Sequence, residues 1–248
     1  LAARGWEVGV ATRGRQHDHP FGPAAYEAAG MRHFAVPFPR RNSSASCLLY
    51  ALPALNALRR VVDRFEPDLL HVHWRVLTPL TRLVELGGGP PYVTTLHLAP
   101  VPHGPLRRLF SFWSDYTIAV STEAASFLTD AFGLSRQHIR VVYNGVDEDT
   151  FRPPTPAEHG AARRALGLDA APFVLCHLGR LAPDKGHDLL VRALARLRAG
   201  GLDVPVLLAG TGPLDAAIRE HALRCGVHDL VRLTGYADAR DVLWASDV

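Results

Sequence analysis

Lysine is almost missing from this chain. Of 27 basic residues one is lysine, Lys185, and all the others are arginine. Cysteine is also scarce: Cys47, Cys176 and Cys225 lie far apart with no C-x-x-C pair, which reads as reduced thiols in a cytosolic protein rather than a disulfide framework. No apolar run approaches the roughly 18 residues of a membrane span. The net charge of +3 is too small for a nucleic-acid-binding protein. Residues 1–155 hold 16 arginines against 13 acids, whereas 156–248 hold 11 basic and 11 acidic groups. That mild excess points to an anionic partner or a membrane surface on the first half. Methionine occurs once, at Met31, and residue 1 is Leu. The first five residues read as a helix tail and residues 244–248 stop where a strand should begin, so an internal fragment is expected.

What is present is a long alternation. At 248 residues and 48% hydrophobic, the chain can bury two cores. Short apolar runs at 8–12, 33–36, 69–73, 92–95, 116–120 and 139–143 predict strands with helical patterns between them. The clearest helix is 48–65, where Leu49, Leu52, Leu55, Leu58 and Val62 recur at helical spacing and Pro53 should kink it or delay its start. Strands alternating with helices predict parallel sheets covered on both faces. The stretch Arg152-Pro153-Pro154-Thr155-Pro156 reads as a linker. It divides the chain into domains 1–155 and 156–248. The second domain repeats the alternation: strands at 173–178, 204–209 and 230–234, helices at 187–198, 214–224 and 239–245. Two Rossmann-like domains facing a cleft are the expected architecture, and strand ends line such clefts.

The lone lysine falls in Gly179-Arg180-Leu181-Ala182-Pro183-Asp184-Lys185-Gly186, between a buried strand and a helix. A glycine permitting close backbone approach, two cations and a helix N-terminus together describe a diphosphate site. An ordinary turn with two solvated cations is the alternative. Gly210-Thr211-Gly212-Pro213 closes the next strand; Asp215 stands where a dinucleotide fingerprint needs glycine, which argues against NAD. Gly235-Tyr236 ends the third strand at the same edge. In the first half, His97 ends a strand, either directed at a ligand or satisfied structurally. His71 and His73 share a strand face, as a metal pair or, with no third ligand at matching spacing, a buried strand end. His17-Asp18-His19 reads as a solvated loop, and Asn144-Gly145-Val146-Asp147 alone is a routine turn. Asp147-Glu148-Asp149 mimics a D-x-D metal motif but reads as a solvated loop. Arg107 and Arg108 beside Leu106, Leu109, Phe110, Phe112 and Trp113 form either a membrane-surface element or a half-buried helix.

Taken in order, these motifs resemble glycosyltransferase family 4, whose members are retaining enzymes of the GT-B fold. The series runs His71-Val72-His73, Thr95-Leu96-His97, Val120-Ser121, Tyr143 to Asp147 with Phe151-Arg152-Pro153, Gly179-Arg180 with Lys185-Gly186, and Gly210 to Pro213. The resemblance covers essentially the whole chain. It implies an acceptor-side domain at 1–155 and a nucleotide-sugar donor domain at 156–248. It further implies that Arg180 and Lys185, with Gly179, hold the donor diphosphate, that Gly210 and Gly212 shape the donor-side wall, and that Tyr236 lies near the base. His97, Asn144 and Asp147 would line the acceptor side near the transferred sugar. Leu98 stands where the family usually has Asp. The family's glycine-rich first loop and its later E-x7-E segment have no counterpart in these residues, so the fragment is expected not to turn over by itself.

The activity so implied is retaining transfer of a sugar from a nucleoside diphosphate to a glycolipid, polysaccharide or small-molecule acceptor, with His97, Arg180 and Lys185 in the reaction. No metal or cofactor is implied beyond the donor. The expected location is cytoplasmic, at most peripheral to the membrane. A sugar-nucleotide epimerase of the same fold, or a nucleotide-sugar-binding protein without chemistry, is the alternative.

Overall fold

A computed structural model describes residues 1–13, 22–38, 44–97 and 101–248, without the side chains of 44–48 and 106. The loop His17-Asp18-His19, Leu98 and the Cys47 side chain lie outside the described residues. The chain divides into two units, Leu1–Gly145 and Val146–Val248.

In the first unit, β1 (Gly9–Thr12) pairs in parallel with β2 (Arg32–Ala35), joined through the short helix α1 (Pro23–Ala28). A second sheet follows in the order β3 (Leu70–Val72), β4 (Tyr92–Leu96), β5 (Thr117–Ala119) and β6 (Ile139–Val141), every pair parallel. The connections carry α2 (Ser44–Phe65), α3 (Thr78–Leu86), α4 (Pro105–Leu109) and α5 (Thr122–Phe132). Parallel strands require such crossovers, because no two-residue turn can return the chain to the same end of a sheet. Val36, Phe38, Leu55, Leu58, Leu80 and Val84 form one core, and Leu96, Ala119, Leu128 and Ile139 belong to another. Ser121 caps α5 by accepting from the Ala124 amide, and Gly133 ends it at φ 72°.

The expected interruption at Pro53 does not occur at the helix start: α2 begins at Ser44 and carries Pro53 inside it. Leu49 and Leu52 are 73% and 70% exposed, so the predicted stripe faces the core only from Ala54 and Leu55 onward. Periodicity identified the helix, but packing decides how much of a stripe is covered.

In the second unit, β7 (Leu175–Leu178), β8 (Val206–Ala209) and β9 (Val231–Gly235) form a parallel sheet in sequence order. It carries α6 (Pro156–Ala165), α7 (His187–Ala199), α8 (Asp215–Arg224) and α9 (Ala239–Trp244). All four residues of β8 are buried, as a central strand covered on both faces must be. The stretch read as a linker belongs to this unit. Arg152 forks onto the Glu158 carboxylate at 2.6 and 3.0 Å, its guanidinium lies 5.0 Å from the Trp244 ring, and Trp244 Nε1 donates to the Arg152 carbonyl at 3.1 Å. Thr155 and Glu158 complete a capping box, and Arg152 with the Thr155 amide and hydroxyl holds the Glu158 carboxyl down to about 2. The second unit therefore starts at Val146 rather than 156.

Arg163 ties this unit together. Buried on α6, it donates to the Ala171 carbonyl at 2.6 Å, to the Ala245 carbonyl at 3.2 Å and to the Asp247 carboxylate, which also accepts from the Val174 amide at 2.7 Å. One guanidinium thus links α6, the entry to β7 and the end of α9. Among the described residues no helix is long and apolar enough to cross a membrane. We predict that Arg163→Ala costs roughly 3 kcal/mol, because it leaves buried carbonyls and a carboxylate without their donor. Chemical unfolding would measure this, and a loss below about 0.5 kcal/mol would show that the clasp adds nothing.

Candidate functional site

The second unit brings the predicted donor residues onto one sheet edge. Gly179 follows β7, Gly210 follows β8, and Gly235 with Tyr236 ends β9. Parallel pairing makes this edge a common C-terminal end, where loops meet ligands in open α/β sheets.

Two of its loops are in direct backbone contact. A Cβ added at Gly210 would overlap the Gly179 carbonyl, and one at Gly212 would overlap the Leu181 backbone. Gly210 also holds φ 152°, a conformation open to glycine and strained for other residues. Hydrogen bonds secure the contact: the Gly179 amide to the Ala209 carbonyl at 3.0 Å, the Leu181 amide to the Thr211 carbonyl at 3.1 Å, and the Leu214 amide back to the Leu181 carbonyl at 3.1 Å. Leu181 is 1% exposed and anchors the loop in the core around Leu194 and Leu208. The glycines at 210 and 212 are thus required by the protein's own backbone.

On that base stand the cations. Pro183–Lys185 is a single 3-10 turn, and Gly186 at φ 69° leads into α7, which no side chain caps. The Arg180 guanidinium lies 3.8 Å and the Lys185 Nζ 3.6 Å from the same Asp184 carboxylate oxygen. Their side chains are 74% and 43% exposed, so these long contacts contribute little and leave both charges open to a stronger anion. Asp184 sits between the two cations in sequence, yet sequence reading assigned it no role. Also missed were His177 on β7 and His187 at the start of α7. Their rings pack edge to face with centroids 4.6 Å apart, and His177 Nε2 donates to the Lys185 carbonyl at 3.1 Å. Neither ring nitrogen of the buried His187 makes a hydrogen bond of ordinary geometry. Burial first and the neighbouring His177 second hold its pKa below the usual imidazole value, against weaker opposing pulls from the Ala182 backbone and nearby carboxylates. A strand residue two before a glycine loop carries no distinguishing mark, which is why His177 escaped notice. Tyr236 is 66% exposed beside Gly235, whose φ is 70°.

In the first unit, the predicted His97 follows β4, and its Nε2 lies 2.8 Å from Nδ1 of His73. His71 Nε2 lies 2.6 Å from the Thr95 hydroxyl, and the His71 and His73 rings are 4.1 Å apart. These imidazoles are exposed, not the buried strand end expected for His71 and His73; β3, which carries His71, is an edge strand. Burial of part of each ring lowers the pKa of His71 and His73, and the neighbouring imidazoles lower them further. No group of three or more His, Cys, Asp or Glu among the described residues is arranged to hold a metal ion. Asn144 and Asp147 are exposed, in the first and second unit respectively. The Asp147 carboxylate closes its own turn, accepting from the Thr150 hydroxyl at 2.6 Å and from the Asp149 amide at 3.2 Å. These bonds, led by Thr150, hold its pKa below the usual carboxylate value.

Parallel sheets with glycine-edged loops and two cations at one sheet edge define an α/β protein with a candidate site at the ends of its strands, and comparison with known proteins gives its family. Residues 1–150 match Glycosyltransferase Family 4 and residues 172–248 match Glycosyl transferases group 1. The chain belongs to glycosyltransferase family 4. It is 32% identical over 188 residues to a GDP-mannose-dependent alpha-(1-6)-phosphatidylinositol monomannoside mannosyltransferase of Mycobacterium tuberculosis, covering 72% of this chain and 47% of the relative. It is 32% identical over 257 residues to a D-inositol 3-phosphate glycosyltransferase of Segniliparus rotundus, covering 94% of this chain and 56% of the relative. The chain thus spans about half the length of these relatives. Among solved structures, Anabaena HepE in complex with UDP-glucose superposes with a TM-score of 0.74 at 21% identity, covering 90% of this chain and 61% of that one. WaaG, a glycosyltransferase involved in lipopolysaccharide biosynthesis, superposes with a TM-score of 0.70 at 15% identity, covering 100% and 66%. The fold is that of the GT-B glycosyltransferases.

The loop contact yields a prediction. Gly212→Ala or Gly210→Ala should each destabilise the second unit by on the order of 3 kcal/mol, since the added methyl meets backbone that cannot turn aside. Thermal unfolding of either variant at the parent temperature would contradict the contact.

Proposed function

We propose that the chain belongs to a retaining glycosyltransferase in which Arg180 and Lys185 receive the diphosphate of a nucleotide-sugar donor. One observation carries this reading: a guanidinium and an ammonium within 3.8 Å of one carboxylate oxygen, on a loop locked to its neighbour by glycine-dependent backbone contacts. In the reaction, the bond from the anomeric carbon to the donor phosphate breaks and its electrons pass to the leaving nucleoside diphosphate. The acceptor hydroxyl bonds to that carbon from the same face, and its proton leaves towards the departing phosphate. Arg180 supplies two donors in a fixed fork and Lys185 a movable point charge. Held before the reaction, such groups stabilise developing charge by about 3–4 kcal/mol each in comparable sites. These cations take the place of a metal at the leaving group.

In this reading Gly179, Gly210 and Gly212 allow the diphosphate to approach backbone, and Tyr236 lies near the base. His97 positions the transferred sugar, Asn144 and the turn closed by Asp147 flank it, and no cofactor is needed. The first unit serves the acceptor and the second the donor. The named relatives make GDP-mannose the first donor to try and phosphorylated inositols the first acceptors, with UDP-glucose as the alternative donor. We place the enzyme in the cytoplasm, touching the membrane through α4. There Leu109 and Phe110 are exposed beside Arg107 and Arg108, which supports a membrane-surface contact.

Arg180→Ala and Lys185→Ala should each lower turnover of the complete enzyme at least about 100-fold with little change in acceptor KM, and EDTA should leave the parent rate unchanged. Parent-like kcat in both variants would defeat the assignment. For the membrane contact, Arg107→Glu with Arg108→Glu should abolish flotation with vesicles containing anionic lipid; unchanged flotation would remove α4 from the account.

A further inference from the structure

The loop that presents Lys185 is held from beneath by a histidine that neither the motifs nor the family resemblance picked out. The Lys185 carbonyl can only accept, so the 3.1 Å contact to His177 requires the proton on Nε2. A Cβ placed at Gly179 would lie 3.9 Å from both His177 Cε1 and Lys185 Cδ, so the imidazole edge and the lysine stem flank the same point. On its other side the His177 ring meets His187 with centroids 4.6 Å apart at 60°, and His187 is 2% exposed in the first turn of α7. His177 therefore spans from β7 to the 3-10 turn while braced by the helix that follows it.

We propose that His177 is a positioning residue for Lys185, fixing the turn through the Lys185 carbonyl so that the ammonium meets a diphosphate without rearranging. This rests on the reading of Arg180 and Lys185 as the diphosphate site. The carbonyl bond fixes the one backbone atom of Lys185 that the turn's internal bond, from the Lys185 amide to the Ala182 carbonyl at 3.0 Å, leaves untouched. With both ends of the residue held, the side chain is the part left to move. A flexible four-carbon stem on a wandering backbone would lose affinity to ordering; on a fixed one it loses less.

The experiment is calorimetric titration of the complete enzyme with GDP and with UDP, comparing His177→Phe, His177→Gln, Lys185→Ala and Arg180→Ala. Phenylalanine keeps a ring against His187 but has no donor, whereas glutamine places an N–H at the reach of Nε2. His177→Phe should weaken diphosphate binding about fivefold, the worth of one hydrogen bond, and His177→Gln should restore it to within about twofold. If Lys185→Ala weakens binding while His177→Phe binds like the parent, the positioning role is wrong and the diphosphate reading stands. If the parent binds neither nucleotide, or neither Arg180→Ala nor Lys185→Ala weakens binding, the diphosphate reading fails and takes this one with it. Should His177→Phe not fold, nitrogen NMR of the parent's histidines decides: a proton on Nε2 of His177 that exchanges slowly supports the bond, and a proton on Nδ1 alone overturns it.

Discussion

The site depends on a place where two stretches of backbone touch with no side chain between them. At Gly210 and Gly212 the loop after β8 lies against residues 179–181 of the loop after β7, in space a methyl group would need. That contact, with the reciprocal bonds of Leu181 to Thr211 and Leu214, sets the path of the cation-bearing loop. Arg180 and Lys185 gain their arrangement from it. Long arginine and lysine side chains lose substantial rotamer freedom when ordered, so a rigid base lowers what two exposed cations would lose in gathering round one anion. Main-chain contacts, braced by the Leu181 and His177 side chains, hold the loop and leave the Arg180 and Lys185 side chains exposed.

Arginine does the structural work: Arg163 clasps α6, the β7 entry and the end of α9, and Arg152 pins the proline-rich stretch onto Glu158 and Trp244. A planar fork suits those tasks because it meets several fixed acceptors at once. Lysine, used once, stands beside Arg180 on the loop proposed to receive the diphosphate. Asp184 lies close enough to screen both cations from each other, at distances that a tighter-binding anion can displace.

Much of this was legible from the residues. The strands and helices of both halves fall within a few residues of their predicted positions, because short apolar runs between helical patterns mark parallel strands; of the described strands only β8 is buried throughout, and β7, expected to be buried, has no fully buried residue. The glycines at 210 and 212 were visible as motifs, but not their reason, which is a contact between segments some thirty positions apart. Pro53 does not delay the start of α2, which already begins at Ser44; the packing of Ala54, Leu55 and Leu58 decides where the helix is held. The proline-rich stretch was misjudged as a linker because composition does not show Trp244 returning to cover Arg152. His177 and His187 were silent for a related reason. An imidazole is marked as functional by what it touches, and the Lys185 carbonyl that His177 reaches leaves no trace in sequence.

The most direct trial is a crystal structure of this chain grown with GDP or UDP. The account requires the diphosphate oxygens within hydrogen-bonding distance of the Arg180 guanidinium and Lys185 Nζ, with Asp184 released from both and the backbone of 179–181 and 210–212 unmoved. A nucleotide bound with its phosphates away from these two side chains would contradict it.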